Sequence, residues 1–303
     1  MSRVQVLLST YNGERFLAPL LDSVLDQTHR NLEVRVRDDG SRDATWKILE
    51  RYTARAPVRA ERGENLGVVR SFFALLQSSD PDAAFLALAD QDDVWMEDKL
   101  ARAVAALGVH DPGTPALYCA RLTLVDEELH PLGLSPMPVR GPSFSNALVQ
   151  NIATGCTIVI NQAARQVLLR GMPQVAWMHD WWMYLVVAAF GVVIYDPEPR
   201  TLYRQHGANA VGSACNPLRR TAVKVARFAR RGFALQSRVA QAEEFRRIHG
   251  AWLDERKRAQ LNRFLAGRRT LAERLRFIRG DDVVYQSRLD DALFKGLILL
   301  NQV

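Results

Sequence analysis

Short apolar runs and stretches with helical spacing alternate along the first 110 positions of the chain. Apolar runs of strand length occupy residues 4–8, 32–36, 58–60 and 85–89. Helical spacing, with apolar residues on one face, marks residues 14–27, 43–52, 67–77 and 96–107. Strands that alternate with helices are typical of a mostly parallel sheet flanked by helices. The pattern therefore predicts an α/β fold.

The alternation ends near residue 110, and the rest of the chain has a different pattern. Residues 116–125 predict one longer strand. Six proline and glycine residues between positions 131 and 142 predict an irregular connection, and such connections often hold substrate. From residue 217 onward, apolar residues at near-helical spacing lie among arginines and predict a helical C-terminal region.

Charge is distributed unevenly along the 303 residues, 48% of which are hydrophobic. The net charge is +7, but residues 1–216 carry 20 Lys and Arg against 24 Asp and Glu, whereas residues 217–303 carry 20 against 9. A basic helical segment suits an anionic surface. Peripheral membrane contact and ordinary packing on the first domain are equally favoured, and nucleic acid is not expected as a partner.

No feature of the sequence indicates export. The N-terminus runs directly into a strand-like segment, and the three cysteines, Cys119, Cys156 and Cys215, form no C-x-x-C pair. The longest apolar run, residues 181–195, has 15 residues, fewer than the roughly 20 that span a bilayer. We therefore expect a cytoplasmic protein, with peripheral contact on the cytoplasmic face of the membrane as a further possibility.

Three carboxylates follow the apolar run at residues 85–89, in the segment Asp90-Gln91-Asp92-Asp93. The end of a buried strand is where α/β proteins bind ligands. Carboxylates this close cannot all ionise without cost unless a cation compensates them, and oxygen ligands favour Mg²⁺ or Mn²⁺. Such ions bridge proteins to nucleotide phosphates, so the segment predicts a nucleotide-dependent transferase. A lone D-x-D can also simply end a strand.

Polar residues that can bind a nucleotide follow the first two strands as well. Tyr11 can stack on a base, Asp39 can accept a hydrogen bond from a pyrimidine imide, and Asn65 and Arg70 can reach ribose or phosphate. Taken singly, Asp39 is better explained as part of a turn, because glycine follows it, and Arg70 as a surface helix residue. The chain has no G-x-G-x-x-G and no P-loop motif, which argues against dinucleotide oxidoreductases and P-loop kinases.

In their order along the chain, five segments resemble the inverting glycosyltransferases of family 2, which have the GT-A fold, and within them bacterial rhamnosyltransferase-like enzymes of surface polysaccharide synthesis. The segments are STYNGERFLAPLLDSVLDQTHRNLEVRVRDDGSRDAT, ENLGVVRSF, LADQDDVW, MHDWWMYLVVAAFG and YRQHGANAVG, within residues 4–212. The resemblance implies a Rossmann-like nucleotide-diphospho-sugar transferase fold. It also implies a nucleoside-diphosphate sugar donor, with dTDP-rhamnose as first choice and a UDP-sugar second.

The resemblance also implies a role for individual residues. The residues expected to bind the nucleotide part of the donor are Thr10, Tyr11, Asn12, Glu14, Asp39, Asn65, Arg70, Asp90 and Gln91. Asp90 would face the ribose, and Asp92 and His206 would hold the Mg²⁺ or Mn²⁺ ion. Arg204 is a further candidate for contact with the diphosphate.

Asp180 is the candidate for the catalytic base that inversion requires on the acceptor side. The family resemblance supports this assignment, whereas the residue type alone equally allows a helix N-cap. Trp181 and Trp182 follow it, and their faces can pack against a sugar ring, although we expect one of them in the core. The acceptor is expected to be a saccharide or a lipid-linked glycan.

These inferences predict a GT-A domain at residues 1–216, with a nucleotide-binding half at 1–110 and an acceptor-binding half at 111–216. A basic helical region at 217–303 follows it. Two alternatives remain from the residues themselves. One is a nucleotidyltransferase, which also uses paired acids and Mg²⁺. The other is a non-catalytic nucleotide-binding module whose tail docks on a membrane.

Overall fold

The computed structural model describes residues 1–205, 231–266, 270–280 and 282–299, and for residues 231–237 and 297 it describes the backbone alone. The predicted metal ligand His206 lies outside the described residues, as do residues 217–230 of the basic tail and the predicted domain boundary after residue 216. These three predictions therefore remain predictions.

The chain forms two compact units. The first contains Met1–Met137, Ala153–Leu169 and Gly191–Ser213, and the second contains Pro138–Ile152, Arg170–Phe190 and Ala214–Val303.

A seven-stranded sheet forms the centre of the first unit, in the order β10-β6-β9-β4-β1-β2-β3. Its strands are β1 (Val4–Thr10), β2 (Leu32–Asp38), β3 (Val58–Arg62), β4 (Phe85–Asp90), β6 (Ala116–Ala120), β9 (Val159–Asn161) and β10 (Val192–Asp196). The strands from β4 to β3 pair in parallel, and only β9 runs antiparallel to its neighbours. The predicted mostly parallel sheet is confirmed.

Five helices belong to the first unit within the described residues. They are α1 (Leu17–Leu25), α2 (Thr45–Thr53), α3 (Val68–Ser78), α4 (Lys99–Gly108) and α6 (Gln162–Leu168). Leu20, Leu21 and Leu49 are fully buried and pack with the sheet residues Val6 and Leu8 in one hydrophobic core. Burial of such side chains stabilises the fold by about 2 kcal/mol each.

A smaller sheet, β5-β11-β7-β8, lies in the same unit and corrects two sequence predictions. Its strands are β5 (Val94–Trp95), β7 (Thr123–Val125), β8 (Pro131–Leu134) and β11 (Thr201–Arg204). The single strand predicted at 116–125 is two strands in different sheets, because the backbone turns at Arg121, whose N–H bonds to Asp196. The irregular connection predicted from residue 131 begins as an edge strand, where a proline at the first position is tolerated.

The second unit is helical within the described residues. It contains α5 (Phe144–Ala147), α7 (His179–Phe190), α8 (Arg231–His249), α9 (Glu255–Ala266), α10 (Leu271–Arg279) and α11 (Arg288–Leu299). Phe245 of α8 lies against Phe144, Trp182 and Phe190 in an aromatic core. The prediction of C-terminal helices is thus confirmed for the described part of that region. None of the helices described is both long and apolar enough to span a bilayer.

Candidate active site

The segments that follow β1, β2 and β4 meet at one edge of the large sheet. Thr10 at the end of β1 is in register with Asp38 of β2, and Ser9 is in register with Asp90 of β4. Because the three strands are parallel and adjacent, the residues beyond them emerge at the same edge, where α/β proteins bind ligands. The structure therefore brings together the two polar segments and the acidic segment that the sequence singled out.

Side chains of the loop after β1 hold the loop after β2. Asn12 Oδ1 accepts a hydrogen bond from the Arg42 N–H at 2.9 Å, and Glu14 Oε2 accepts one from the Ala44 N–H at 2.8 Å. The Thr10 hydroxyl donates to Asp38 Oδ1 at 3.2 Å. Asn12 has a φ of 47°, a left-handed conformation that asparagine tolerates better than most residues. These three side chains build the edge that a ligand would meet.

Tyr11 is an aromatic residue whose side chain is 46% exposed. Its backbone is fixed by Gln91, whose Oε1 accepts from the Tyr11 N–H at 2.8 Å and whose Nε2 donates to the Tyr11 carbonyl at 3.0 Å. The loop after β4 thereby positions the loop after β1. Of the two side chains, Tyr11 presents its ring to solvent, whereas Gln91 uses its amide within the protein.

Asp39 is buried, and its carboxylate organises the segment before α3. Oδ1 accepts from the Leu66 N–H at 2.9 Å and also from the Arg37 guanidinium, and Oδ2 accepts from the Gly67 N–H at 2.8 Å. A carboxylate oxygen has two lone pairs, so Oδ2 keeps acceptor capacity. The predicted hydrogen bond to a pyrimidine stays a prediction. Asn65 and Arg70, on either side of this anchored segment, are both exposed.

The acidic segment contains a compact donor group. Ligand atoms of Asp90, Asp93 and Cys156 all lie within 4.8 Å of one another. Burial, and then the charges of Asp92 and Asp90, raise the pKa of Asp93 well above its usual value. Burial also raises the pKa of the Cys156 thiol, which keeps the sulfur protonated. The carboxylates are suitable ligands for a hard cation such as Mg²⁺ or Mn²⁺, which would relieve their repulsion. The thiol of Cys156 is not a suitable ligand for such a cation.

Asp92, the residue predicted to hold the metal, is not in this compact group. It is half-buried, and its backbone carbonyl accepts from Arg204 Nε at 2.9 Å. The Arg204 N–H also donates to Asp93 Oδ1 at 3.2 Å, and the guanidinium lies 4.4 Å from the centroid of the Phe16 ring. Arg204, proposed from sequence for the diphosphate, thus supports the acidic segment from within. The metal role of Asp92 stays a prediction.

Lys99 is a residue of this region that the sequence reasoning missed. It is buried at the start of α4, where its Nζ donates to the Cys156 carbonyl at 2.5 Å and lies 3.2 Å from the centroid of the Trp95 ring. Burial lowers the pKa of Lys99 to about 7. The burial of Lys99 could have been predicted from its spacing, because positions 99, 103 and 107 lie on the buried face of the helix.

Asp180 lies in the second unit, within the first turn of α7, and is 7% exposed. Its Oδ1 accepts a hydrogen bond from the backbone N–H of Trp181 at 2.6 Å. A carboxylate here also interacts favourably with the positive end of the helix dipole. The preceding His179 is buried, and burial lowers the pKa of its imidazole to about 3, so this ring is neutral at physiological pH.

The prediction that a face of Trp181 or Trp182 packs against a sugar is wrong. Trp181 is 6% exposed and Trp182 is fully buried. One of the two was expected in the core, and both are there. Trp181 Nε1 donates to the Ala147 carbonyl at 2.7 Å. The physical reason is that α7 is apolar on every side, and such a helix is buried all round.

Comparison with known proteins identifies the class of this site. The model of the glycosyl transferase family 2 matches residues 5–134, a range that contains the sheet edge and the acidic segment. This part of the chain is a family 2 glycosyltransferase domain. The predicted family and enzyme class are confirmed, and the chain is a glycosyltransferase.

A curated relative supports the same class. The chain is 25% identical over 224 residues to the dTDP-rhamnosyl transferase RfbG of Shigella flexneri, a match that covers 68% of this chain and 74% of the relative. It is also 32% identical over 109 residues to EpsE of Bacillus subtilis, covering 36% of this chain and 39% of that one.

Solved structures show that this glycosyltransferase has the GT-A fold. Residues 1–349 of TarS from S. aureus, in complex with UDP-GlcNAc, superpose with a TM-score of 0.62 at 14% identity, covering 99% of this chain and 79% of that one. The mannosyltransferase PcManGT from Pyrobaculum calidifontis, in complex with GDP-Man and Mn²⁺, gives 0.55 at 18% identity, covering 99% and 86%. The predicted fold class is confirmed.

Proposed function

We propose that this glycosyltransferase transfers a sugar with inversion from a nucleoside-diphosphate donor to a hydroxyl group of a glycan or lipid-linked acceptor in surface polysaccharide synthesis. Rhamnose from dTDP-rhamnose is the first choice of donor and a UDP-sugar the second. The observation that carries the proposal is the sheet edge where three adjacent parallel strands end: Tyr11 follows β1, Asp39 follows β2, and Asp90 is the last residue of β4. The similarity to a dTDP-rhamnosyl transferase supports the choice of sugar.

The proposed donor site divides its work between exposed and buried side chains. Tyr11 stacks on the base, and the exposed Asn65 and Arg70 reach ribose and phosphate. Asp90 binds the ribose and Asp39 the base. Four further side chains complete the proposed nucleotide site, and their hydrogen bonds also hold the loops around it; they are Thr10, Asn12, Glu14 and Gln91.

The proposed site for Mg²⁺ or Mn²⁺ uses Asp92 and His206. A divalent cation bound there neutralises the diphosphate leaving group. The ligand atoms of Asp90 and Asp93 lie within 4.8 Å of each other, and a cation would relieve the repulsion between two carboxylates this close, which supports a cation at this segment.

Asp180 is the proposed general base. It takes the proton of the acceptor hydroxyl as the acceptor oxygen attacks the anomeric carbon from the face opposite the diphosphate. The new glycosidic bond forms as the bond from the anomeric carbon to the diphosphate oxygen breaks. The nucleoside diphosphate leaves with the bonding electron pair, and the configuration inverts.

A thermal-shift panel tests donor and metal together. The wild-type protein and Asp92→Ala are heated with dTDP-rhamnose, UDP-glucose, UDP-galactose, GDP-mannose or NADH, each with and without Mn²⁺. We expect stabilisation by one sugar nucleotide, dependent on metal and lost in Asp92→Ala. Metal-dependent stabilisation that persists in Asp92→Ala would contradict the ligand assignment. An unchanged melting temperature with every sugar nucleotide would contradict the proposed function and favour the non-catalytic module.

A second experiment tests the base. Asp180→Asn should still bind the donor in the thermal-shift assay but transfer sugar about 100-fold more slowly, the usual contribution of a general base. Glu243→Gln is the matched control, because it removes an exposed carboxylate from the same unit and should transfer at the wild-type rate. Full transfer by Asp180→Asn would reject this base. Transfer of a nucleotidyl group to the acceptor, in place of a sugar, would favour a nucleotidyltransferase.

We also propose peripheral contact of the basic C-terminal region with the cytoplasmic face of the membrane. Arg256 of α9 and Arg276 and Arg279 of α10 are exposed. Basic residues gain about 1 kcal/mol each near an anionic surface. Co-sedimentation with phosphatidylglycerol vesicles should therefore fall in the full-length triple variant Arg256→Glu, Arg276→Glu, Arg279→Glu. Equal sedimentation of the variant and the wild type would remove membrane contact by these arginines from the proposal.

A further inference from the structure

The segment of residues 171–178, directly before α7, exposes an aromatic ring next to the buried aromatic residues of that helix. Trp177 is 41% exposed and Val175 is 45% exposed, whereas Trp181 and Trp182 are buried. The segment, GMPQVAWM, carries no charged residue. Its exposed polar side chain is that of Gln174.

Buried polar side chains of α8 hold this segment in place. Gln241 Oε1 accepts from the Trp177 N–H at 2.9 Å, and Glu244 Oε1 accepts from the Gln174 N–H at 2.6 Å. Glu244 is fixed in turn by two hydrogen bonds from Arg247, which lower the pKa of its carboxyl. Gln241 is 1% exposed and Glu244 is 7% exposed. The backbone that carries Trp177 is therefore anchored from beneath at two points.

The Trp177 ring itself is oriented by the next aromatic residue. It meets Trp181 edge to face, with ring centroids 6.5 Å apart and an interplanar angle of 62°. The Trp181 ring is held by its hydrogen bond to Ala147 and by the Arg238 guanidinium, 5.7 Å from the ring centroid. An exposed indole fixed in this way loses little conformational entropy when a ligand packs on it.

We propose that Trp177 is a binding platform for the acceptor saccharide, on which a pyranose ring packs its C–H face. This inference rests on the proposed function, because the proposed base Asp180 lies three residues away at the start of α7. A flat indole offers apolar area without charge, and its negative face attracts the C–H groups of a sugar. The Gln174 amide can bond to sugar hydroxyls. A single aromatic side chain without charge fits a neutral saccharide.

Saturation-transfer NMR tests the platform on the full-length protein. The probes are the methyl glycosides of α-rhamnose, β-galactose, α-glucose and β-N-acetylglucosamine. We expect saturation of at least one glycoside by the wild type and an affinity about tenfold lower for Trp177→Ala, which corresponds to about 1.4 kcal/mol of lost aromatic contact. Trp177→Phe, which keeps a flat ring, should restore most of the binding.

Trp252→Ala is the matched control. Trp252 is 54% exposed in the same unit, and its ring contacts His249 and Arg170 instead. This variant should bind the glycoside like the wild type. Two results would overturn the proposal: no glycoside bound by the wild type, or equal binding by Trp177→Ala. A loss of phosphatidylglycerol vesicle binding in Trp177→Ala, with glycoside binding intact, would overturn it in favour of a membrane anchor.

The two levels of inference fail in different ways. If sugar nucleotides stabilise both the wild type and Trp177→Ala while glycoside binding does not depend on Trp177, the platform is rejected and the donor site stands. If the wild type ignores every sugar nucleotide but binds a glycoside through Trp177, the saccharide platform stands and the transfer reaction is rejected.

Discussion

Gln91 and Tyr11 exchange a pair of hydrogen bonds, with the Gln91 amide both accepting from the Tyr11 N–H and donating to the Tyr11 carbonyl. The contact resembles one rung of a sheet, made by a side chain. It joins the acidic loop after β4 to the loop after β1, and so couples the proposed metal segment to the proposed base-stacking residue.

Replacing Gln91 by alanine should loosen the loop after β1. Two hydrogen bonds are lost, so we expect unfolding to require about 2 kcal/mol less free energy and sugar-nucleotide affinity to fall about tenfold. Urea denaturation and nucleotide titration of the same protein measure the two effects. Unchanged affinity would show that this coupling does not matter for the donor.

Gly13→Ala provides a second way to disturb the same contact. A Cβ at Gly13 would overlap the Gln91 amide, so the variant should expel that side chain and reproduce the loss of affinity. The double variant Gly13→Ala, Gln91→Ala should be no worse than Gln91→Ala alone, because the overlapping group is gone. Additive losses in this double-mutant cycle would place the effect of Gly13 elsewhere.

Asp39→Ala should be strongly destabilising. The substitution leaves the buried Arg37 without its carboxylate and the Leu66 and Gly67 N–H groups without their acceptor. Loss of one partner of a buried ion pair costs about 3 kcal/mol or more. Asp39→Asn keeps an acceptor oxygen and should cost less. Urea denaturation checks the order, with the exposed Asp111→Ala as a control expected to change stability by under about 1 kcal/mol.

Lys99 and Asp93 should be energetically coupled, although the hydrogen bond of Lys99 goes to the Cys156 carbonyl and not to Asp93. The charge of Asp93 opposes the effect of burial on the pKa of Lys99. Lys99→Met should destabilise the fold by about 2 kcal/mol, because it removes the donor to the buried Cys156 carbonyl. In an Asp93→Asn background the same substitution should cost about 1 kcal/mol less. Equal costs in both backgrounds would mean that the two charges do not interact.

Local pattern was sufficient to predict the sheet and the composition of its edge. Strand-length apolar runs separated by helical spacing indicate parallel pairing, and the ends of such strands share one edge whatever the detailed packing. For this reason the sequence alone predicts that Tyr11, Asp39 and Asp90 lie close together. Their hydrogen bonds could not be predicted in this way, because the partners, such as Gln91 for Tyr11, are 80 residues apart.

Long-range pairing explains most of what the sequence did not reveal. Cys156 reaches the acidic segment because β9, just after it, pairs antiparallel with β4, and no local periodicity encodes that pairing. The buried state of both tryptophans beside Asp180 was available from the sequence, since residues 181–190 are apolar on every helical face. The exposure of Trp177 could not be predicted in this way, because the hydrophobic residues of its segment follow neither the helical period nor the strand period.

His249 should make the stability of the protein depend on pH. Its ring is fully buried among Trp182, Phe190 and Phe245, and burial, with the nearby charge of Arg170, lowers its pKa from 6.5 to about 4. Between these values the unfolded chain binds a proton that the folded chain does not, so stability must fall as pH decreases from about 6.5 to 4, by about 3 kcal/mol at most. His249→Phe keeps an aromatic ring and removes this term. Urea denaturation at pH 7.5 and 5 should show a smaller loss in His249→Phe than in the wild type, with a residual slope from His179, whose pKa is also lowered. An identical loss in both proteins would mean that His249 titrates normally in the folded state.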